Sequence, residues 1–433
     1  MANEIVSAKA MKLAIRGESA LGTGTGSWED LRLVDAPTIP TSTRKLIANH
    51  ILGHRNPLTR EKPVSYETYM ENAFTLKQHI RRASADGSPS LASKLFQSAG
   101  WQQDVGNDTT VTTGTASVIG MTAVGSMAVG KAFLIAVGST YRPALINAIN
   151  TLDVSPTIPL SAAPSNGAAV EPMYVWTPTT LTGYQVPTDK TIQFRMNCLG
   201  YDDDAIGDLS FILSACAAGE LAAIEIGGNG TVPTLDWGIC VGDIECTTND
   251  IAADSFTDSA PFLVVNGDAE FAFSSTNAGS AIGTLVTKMI DSITVTTGLK
   301  VIPIIGVGGS GVVNGLQGYM LQQEAPTIKV VAKYRGDSAF EKNWRTELED
   351  DNTRKYIHFI QPSRNLDYPA FGVWMPNCHI MDGGEPMVTN LGGDIIQTEV
   401  TFQATNAELG GETAFDELAA SPIYIGISGE HSA

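Results

Sequence analysis

The sequence predicts a mainly β protein: a β domain with a short helix, a second such domain in tandem, and a small β module inserted in the first. Three observations carry this. Apolar residues come in short runs rich in Val, Ile, Thr and Phe, bounded by turn residues. The 43 glycines and 21 prolines punctuate a chain of 433 residues without making it low-complexity. The order strand, short helix, antiparallel strands occurs twice, at 66–226 and 293–402, with no obvious residue identity between the copies.

The elements follow in chain order. Residues 1–61 hold the glycine run Gly22–Gly26, three prolines and a basic cluster (Arg44, Lys45, His54, Arg55, Arg60), and read as an extended N-terminal arm that another surface must order. A first β domain spans 62–235. It begins with a strand over Tyr66–His79, in which Tyr69, Phe74 and Leu76 suit one buried face. Ser88-Pro89 then opens a short helix through Leu91, Leu95 and Phe96 to Gly100, since proline is favoured near a helix start. From about 109 to 171 the texture changes to short Val/Thr/Ala/Gly runs, the inserted β module. Strands are expected at 191–199, 208–214 and 221–226, with Gly219 as the turn between the last two. A linker is expected at 236–260.

A second β domain spans 261–405, with strands at 293–305, 327–333, 355–360, 372–375 and 395–402. Ser338 caps a helix over Phe340, Trp344 and Leu348, with Glu341 at the capping-box position. The C-terminal segment 406–433 carries a closing strand.

Composition narrows the function. Lys+Arg 27 against Asp+Glu 46 gives a net charge of −19, with only 17% charged and 43% apolar residues. A disordered acidic tail protein would be charge-rich and apolar-poor. A nucleic-acid reader needs clustered Lys and Arg, so the sign argues against one. The N-terminal twenty residues lack an apolar core of the kind a secretory signal needs. The most apolar window, Ile119–Gly138, is broken by glycines and Lys131, so no membrane insertion is expected. Cys198, Cys216, Cys240, Cys246 and Cys378 form no CxxC pair and read as buried free thiols made in a reducing cytoplasm.

Chemistry-bearing motifs are scarce. Gly306–Gly311 fits G-x-G-x-x-G after an apolar strand, but Gly315 and Gly318 follow where a helix must start, so it reads as a hairpin tip. His50 and His54 have helical metal-pair spacing without the H-E-x-x-H glutamate. Asp202–Asp204 lacks the later ligands of a Ca²⁺ loop and reads as a solvated turn, and Arg335–Asp337 is a chance tripeptide at a helix start. Neither a nucleophile elbow nor an acid–base constellation is found. No catalytic, cofactor-binding or metal residue is therefore assigned, no cofactor is expected, and the chain is not expected to be an enzyme.

The segments Val64–Phe74 and Gly87–Trp101 resemble the start of bacteriophage major tail tube proteins, where a strand precedes a short helix ending in a glycine and an aromatic residue. Tyr174–Pro178 through Ile226, then Gly393–Phe402 and Pro422–Ser428, are similar to that family's later strands. The resemblance covers most of 62–428; the arm and the module fall outside it. It implies tail-tube-type β-sandwich or barrel domains with flanking short helices, and a structural subunit of the virion tail, made in the host bacterial cytoplasm. It also implies partners: copies of itself in trimeric pseudo-hexameric or hexameric rings that stack into a tube, with tail terminator, tape measure and tail-tip proteins. Genomic DNA would pass through the lumen without specific binding. A capsid decoration protein or adhesin is the alternative, suggested by the Thr- and Gly-rich module.

Overall fold

Antiparallel pairing builds almost everything in the computed structural model. It describes residues 11–31, 33–35, 43–47, 64–68, 70–81, 92–178, 185–198, 209–227, 230–247, 269–274, 286–287, 290–306, 315–333, 355–364, 370–388, 396–407, 409–411 and 418–429. The first half comprises β1 (Met11–Ala20), β2 (Thr23–Asp30), β3 (Thr43–Ile47), β4 (Val64–Thr68), β5 (Met70–His79) and the helix α1 (Ala92–Ser98). There follow β6 (Trp101–Val105), β7 (Thr109–Gly114), β8 (Ile119–Met121), β9 (Ala132–Val137), β10 (Thr140–Asn150), β11 (Asp153–Pro156) and β12 (Ala169–Pro178). β13 (Gln185–Val186), β14 (Ile192–Cys198), β15 (Leu209–Ile226), β16 (Thr234–Val241) and β17 (Asp243–Thr247) complete it. The second half comprises β18 (Glu270–Ser274), β19 (Val286–Thr287), β20 (Ile290–Thr296), β21 (Leu299–Ile305), β22 (Leu316–Gln323) and β23 (Thr327–Lys333). It ends with β24 (Lys355–Gln361), β25 (Phe371–Val388), β26 (Ile396–Ala404) and β27 (Tyr424–Ser428).

Strand adjacency repeats. In the first half the order across the sheet is β2–β1–β14–β15–β16–β5, and in the second it is β19–β18–β24–β25–β26–β23. Each repeat centres on a strand of 18 residues. The repeats meet at β20, which pairs with β15 through Ile293–Val295 and with β23 along its length.

Several expectations are corrected. The N-terminal stretch is not all arm: β1 pairs with β14, and Leu13 and Ile15 are buried in the main core. The Leu13/Ile15 alternation is short, and the largely exposed, glycine-rich β2 hides it. The first half of the expected linker is β16 and β17, with Leu235, Trp237 and Ile239 fully buried; residues 248–260 lie outside the described residues. Gly219 is no turn, because 209–226 is one strand and the register slips at that point in a bulge. Conversely 293–305 is two strands, turned at Gly298 (φ 71°). The helix expected at 340–348 lies outside the described residues.

The core divides in three. The main cluster fills the space between the repeats and includes α1, whose Phe96 stacks on Trp176 (5.0 Å) and meets Trp237 edge-on (5.0 Å). A separate cluster, with Val111, Ile119, Phe133, Ile135, Ile146 and Val170, lies wholly inside 111–170. A third joins that module to the second repeat: Leu134, Leu145, Met173 and Val175 pack on Tyr356, Trp374 and Tyr424. β9 thus buries both faces, Phe133 and Ile135 inward, Ala132 and Leu134 toward the second repeat.

β15 serves two sheets because it bends. Residues 209–216 pair with β14 and β17, and residues 217–226 with β16 and β20. At the bend Ala215 has φ 52°, a left-handed angle costly for a residue with a Cβ. Glu18 Oε1 accepts its N–H at 2.9 Å and the Tyr319 hydroxyl donates to its C=O. Opposite stands Gly242, where an added Cβ would lie 2.8 Å from that of Ala215.

Glu18→Ala leaves the Ala215 and Gly22 amides without their acceptor. At about 1–3 kcal/mol for each such group, urea unfolding should show a loss of about 2–4 kcal/mol, and Tyr319→Phe about 1 kcal/mol. An unchanged midpoint for Glu18→Ala would mean the bend is held some other way.

Candidate functional site

The strands β5, β16, β15, β20, β23, β26 and β25 pair in that order into one antiparallel sheet crossing both repeats. Its registers line residues up in rows. One row reads His79, Thr234, Glu225, Thr294, Lys329, Thr401 and Asp382, polar at every strand. The adjacent row reads Gln78, Leu235, Ile224, Val295, Ile328, Phe402 and Ile380, apolar at all strands but the first. Ile226, Ile293, Val330 and Val400 form a further buried row. Because side chains alternate across a strand, the sheet has a dry face on the core and a wet face of hydroxyls and charges, exposed at Glu225 and Lys329, half-buried at His79, Thr294 and Thr401, and buried at Thr234.

Among the described side chains, the wet-face lysines Lys77 and Lys329 are both paired, two lysines against three carboxylates. Lys77 Nζ lies 2.6 Å from Glu225 Oε2 and 3.5 Å from Asp236 Oδ2, and Lys329 Nζ lies 2.7 Å from Glu399 Oε1. The hydrogen bond from Lys77 to Glu225 and the neighbouring carboxylates raise the Lys77 ammonium above its ordinary value. Burial pushes Asp236 up, and Lys77 pulls against that without reversing it. Among the described residues the face therefore offers a polyanion threonines and lysines already committed to carboxylates, whereas a phosphate-binding surface presents free cations.

A second polar constellation is buried. Arg142 Nη2 donates to Glu270 Oε1 at 2.8 Å, and His358 Nε2 lies 2.9 Å from the same oxygen. Nearby the hydroxyls of Thr157 and Tyr356 are 2.6 Å apart. His358 Nδ1 is buried with no partner, so the proton sits on Nε2 and is donated to Glu270. Burial drives His358 down, leaving it neutral near pH 7. Burial pushes Glu270 up, but the hydrogen bonds and charge from His358 and Arg142 outweigh it and hold the carboxyl at about 2. Arg142 and Thr157 belong to the module, whereas Glu270, Tyr356 and His358 belong to the second repeat. A backbone bridge between Tyr141 and Ser363 runs alongside (2.6 and 2.9 Å). The group clamps module to repeat.

Of the motifs singled out in the sequence, Asp202–Asp204, His50, His54 and Arg335–Asp337 lie outside the described residues. Gly306 donates to Gly315 O at 2.9 Å, closing the β21–β22 hairpin at the base of the glycine motif. Cys216, Cys240 and Cys378 are buried free thiols, but Cys246 is exposed, contrary to expectation. Among the described residues no group of three or more His, Cys, Asp or Glu is placed to hold a metal, and no helix is long and apolar enough to cross a membrane. Sequence reasoning missed both the wet face and the clamp. The Thr/Val alternation of 290–296 and 327–331 signals a two-faced strand, but nothing local links Arg142 to Glu270.

No family model and no curated protein matches the chain. Among solved structures, the SPP1 tail tube is similar over 32% of this chain and 74% of its own, at 14% identity and a TM-score of 0.20. A likeness of that degree carries no argument about fold or function.

The clamp has a pH signature. Glu270's contribution is complete above its ordinary 4.5 and is lost as pH falls toward about 2. That of His358 is complete above 6.5 and also declines with falling pH. Arg142→Met strands a largely buried carboxylate and should cost about 3 kcal/mol at pH 7, raising the midpoint of acid unfolding. Equal acid midpoints for wild type and variant would refute the clamp.

Proposed function

We propose that the chain is a structural subunit of a bacteriophage tail tube, assembling with copies of itself into stacked rings that form a conduit for DNA. The observation that supports this most is the seven-stranded sheet whose polar and apolar rows run unbroken across both repeats. A conduit wall needs that construction: one face dry and packed, the other wet, continuous and without adhesive charge. The sequence resemblance of 62–428 to tail tube proteins points the same way. Each chain brings two repeats, so three chains supply six wall segments, and the ring is read as trimeric and pseudo-hexameric. The wet face lines the lumen, where matched Lys–carboxylate pairs and threonines give a passing duplex little to bind. A net charge of −19 per chain adds a mild repulsion, confined to about 8–10 Å by screening. Tail terminator, tape measure and tail-tip proteins are the further partners of this reading, and the virion tail is its place.

Electron microscopy of the purified chain at high concentration, with an initiating tail tip if needed, should show rings or hollow tubes, and single-ring mass should equal three chains. A chain that stays monomeric under all these conditions is not a tube subunit. Antibody labelling of particles should decorate the tail shaft; labelling of the capsid surface would favour a decoration protein.

The wet-face ion pairs are half-exposed or exposed, and such pairs contribute only about 0.2–1 kcal/mol each, so their charges can be inverted without unfolding the sheet. Glu225→Lys with Asp236→Lys and Glu399→Lys should create duplex DNA binding in assembled tubes. That binding should weaken steeply between about 50 and 200 mM salt, as counterion release requires. Tubes of the triple variant that still ignore DNA would show that this face is not the lumen.

A further inference from the structure

The two repeats differ at one edge. In the first, the lower half of β15 is flanked on both sides, by β16 and, at Glu220 and Ile224–Ile226, by β21 and β20. β20 also pairs with β23 and so joins the repeats. In the second, the pairing of β24 stops at Cys378, and from His379 to Val388 β25 pairs, among the described residues, with β26 alone. Among the described residues, no strand occupies the place on β25 that corresponds to the seat of β20 on β15. At the far end of the seven-stranded sheet, the outer side of β5 receives one backbone bond among the described residues, from Val34 N to Lys77 O at 2.8 Å. β5 corresponds to β23, whose outer side holds β20.

The missing strand has a counterpart. Between β2 and β5 the chain carries β3 and β4, which pair with each other in a two-stranded sheet separate from the main one. They occupy the position in the first repeat that β20 to β22 occupy in the second. The bare edges also carry apolar surface: Met381 is 56% exposed and Val34 39%.

We propose that the β3–β4 sheet of one copy seats on the bare edge of β25 in the next, repeating between chains the joint that β20 makes within one. The partner is a second copy of this chain, docked head to tail. Main-chain hydrogen bonds supply the affinity, as in other strand additions, and Pro386 subtracts at most one donor. An edge of ten residues from His379 to Val388, unpaired on its outer side among the described residues, invites such pairing, and the register shifts at Ile380/Asp382 and Gly383/Pro386 set where along it a partner strand can run. Because the surfaces on the two copies differ, the contact is heterologous, and it closes into a ring when the rotation per copy allows. Ring closure rests on the tube reading; the pairing of edges does not.

Cross-linking tests it. In a Cys246→Ser background, Lys45→Cys in β3 is combined with Glu385→Cys or Met387→Cys in β25, and assembled protein is treated with a short bismaleimide that tolerates a small register offset. Denaturing gels should show a ladder of covalent multimers, and mixing the separate single-cysteine variants should give products that stop at two chains. As an independent arm, Leu46→Pro removes one ladder donor from β3. It should impair assembly at least tenfold in critical concentration while leaving the thermal melt of the unassembled chain unchanged. Assembly with no ladder, or a cross-link confined within one chain, overturns the proposed joint and leaves the tube reading standing. Unimpaired assembly of Leu46→Pro also counts against the joint. Failure of the parent chain to assemble at all overturns both.

Discussion

Ala215 holds a left-handed backbone angle that costs a residue with a side chain about 1–3 kcal/mol, and it does so because Glu18 and Tyr319 grip its N–H and its C=O. The two grips come from different parts of the chain: Glu18 lies on the N-terminal strand β1, and Tyr319 on β22, in the hairpin between β20 and β23 of the second half. Everything downstream in the sheet depends on the bend they stabilise. Above it β15 belongs to the pairing of β14 and β17, and below it to that of β16 and β20. A straight strand would carry its lower half along with the upper sheet and away from β20, and the two repeats would lose their common ladder. The burial of Glu18 is the counterpart of this geometry. Its carboxyl is pushed above its ordinary value by burial, a cost accepted because its oxygens take the Gly22 and Ala215 amides and the Thr191 hydroxyl.

How much of this the sequence displays depends on the range of the interaction. Single-strand alternation is local, so β9, β14, β23 and β27 are legible from Phe133/Ile135, Phe194/Met196, Ile328/Val330 and Ile425/Ile427. The short helix at Leu95 and Phe96 is legible for the same reason. Gly219 misleads because a glycine inside a bulge and a glycine in a turn look alike in one dimension, and only the partner strand distinguishes them. β16 is masked by the glycine run ahead of it, although Leu235, Trp237 and Ile239 alternate plainly. The clamp is illegible: Arg142 and Glu270 are 128 residues apart, and neither stands in a motif. The wet face is half legible. Each strand shows its own polar side, but that seven polar sides coincide is a fact of register, which short-range patterns do not encode.

Bulk charge turns out to be a poor guide to the face that matters. The whole chain carries −19, yet the carboxylates described on the wet face, Glu225, Asp236 and Glu399, each stand within 4 Å of a lysine. At such a surface the commitment of the described cations, Lys77 and Lys329, would disfavour a polyanion more than a strong negative field would. Screening at physiological ionic strength reinforces the point, because beyond about 8 Å an unpaired acid elsewhere on the molecule contributes little.

The module gives the two joints of the molecule unequal stiffness. Within one chain the repeats are tied three ways: by the β20 ladder, by the cluster that packs Leu134 and Met173 on Trp374 and Tyr424, and by the Arg142–Glu270 clamp. β27 adds a fourth tie, since it pairs with β25 of the second repeat on one side and with β12, the stem of the module, on the other. Only the first of these is strand pairing between the repeats themselves; the rest pass through the insertion, which sits in the first repeat and docks on the second. The inserted module thus binds the two repeats of one chain into a pair. A joint of the kind proposed between copies, made by strand addition alone, would lack the two packed ties, and bending in such an assembly would concentrate there.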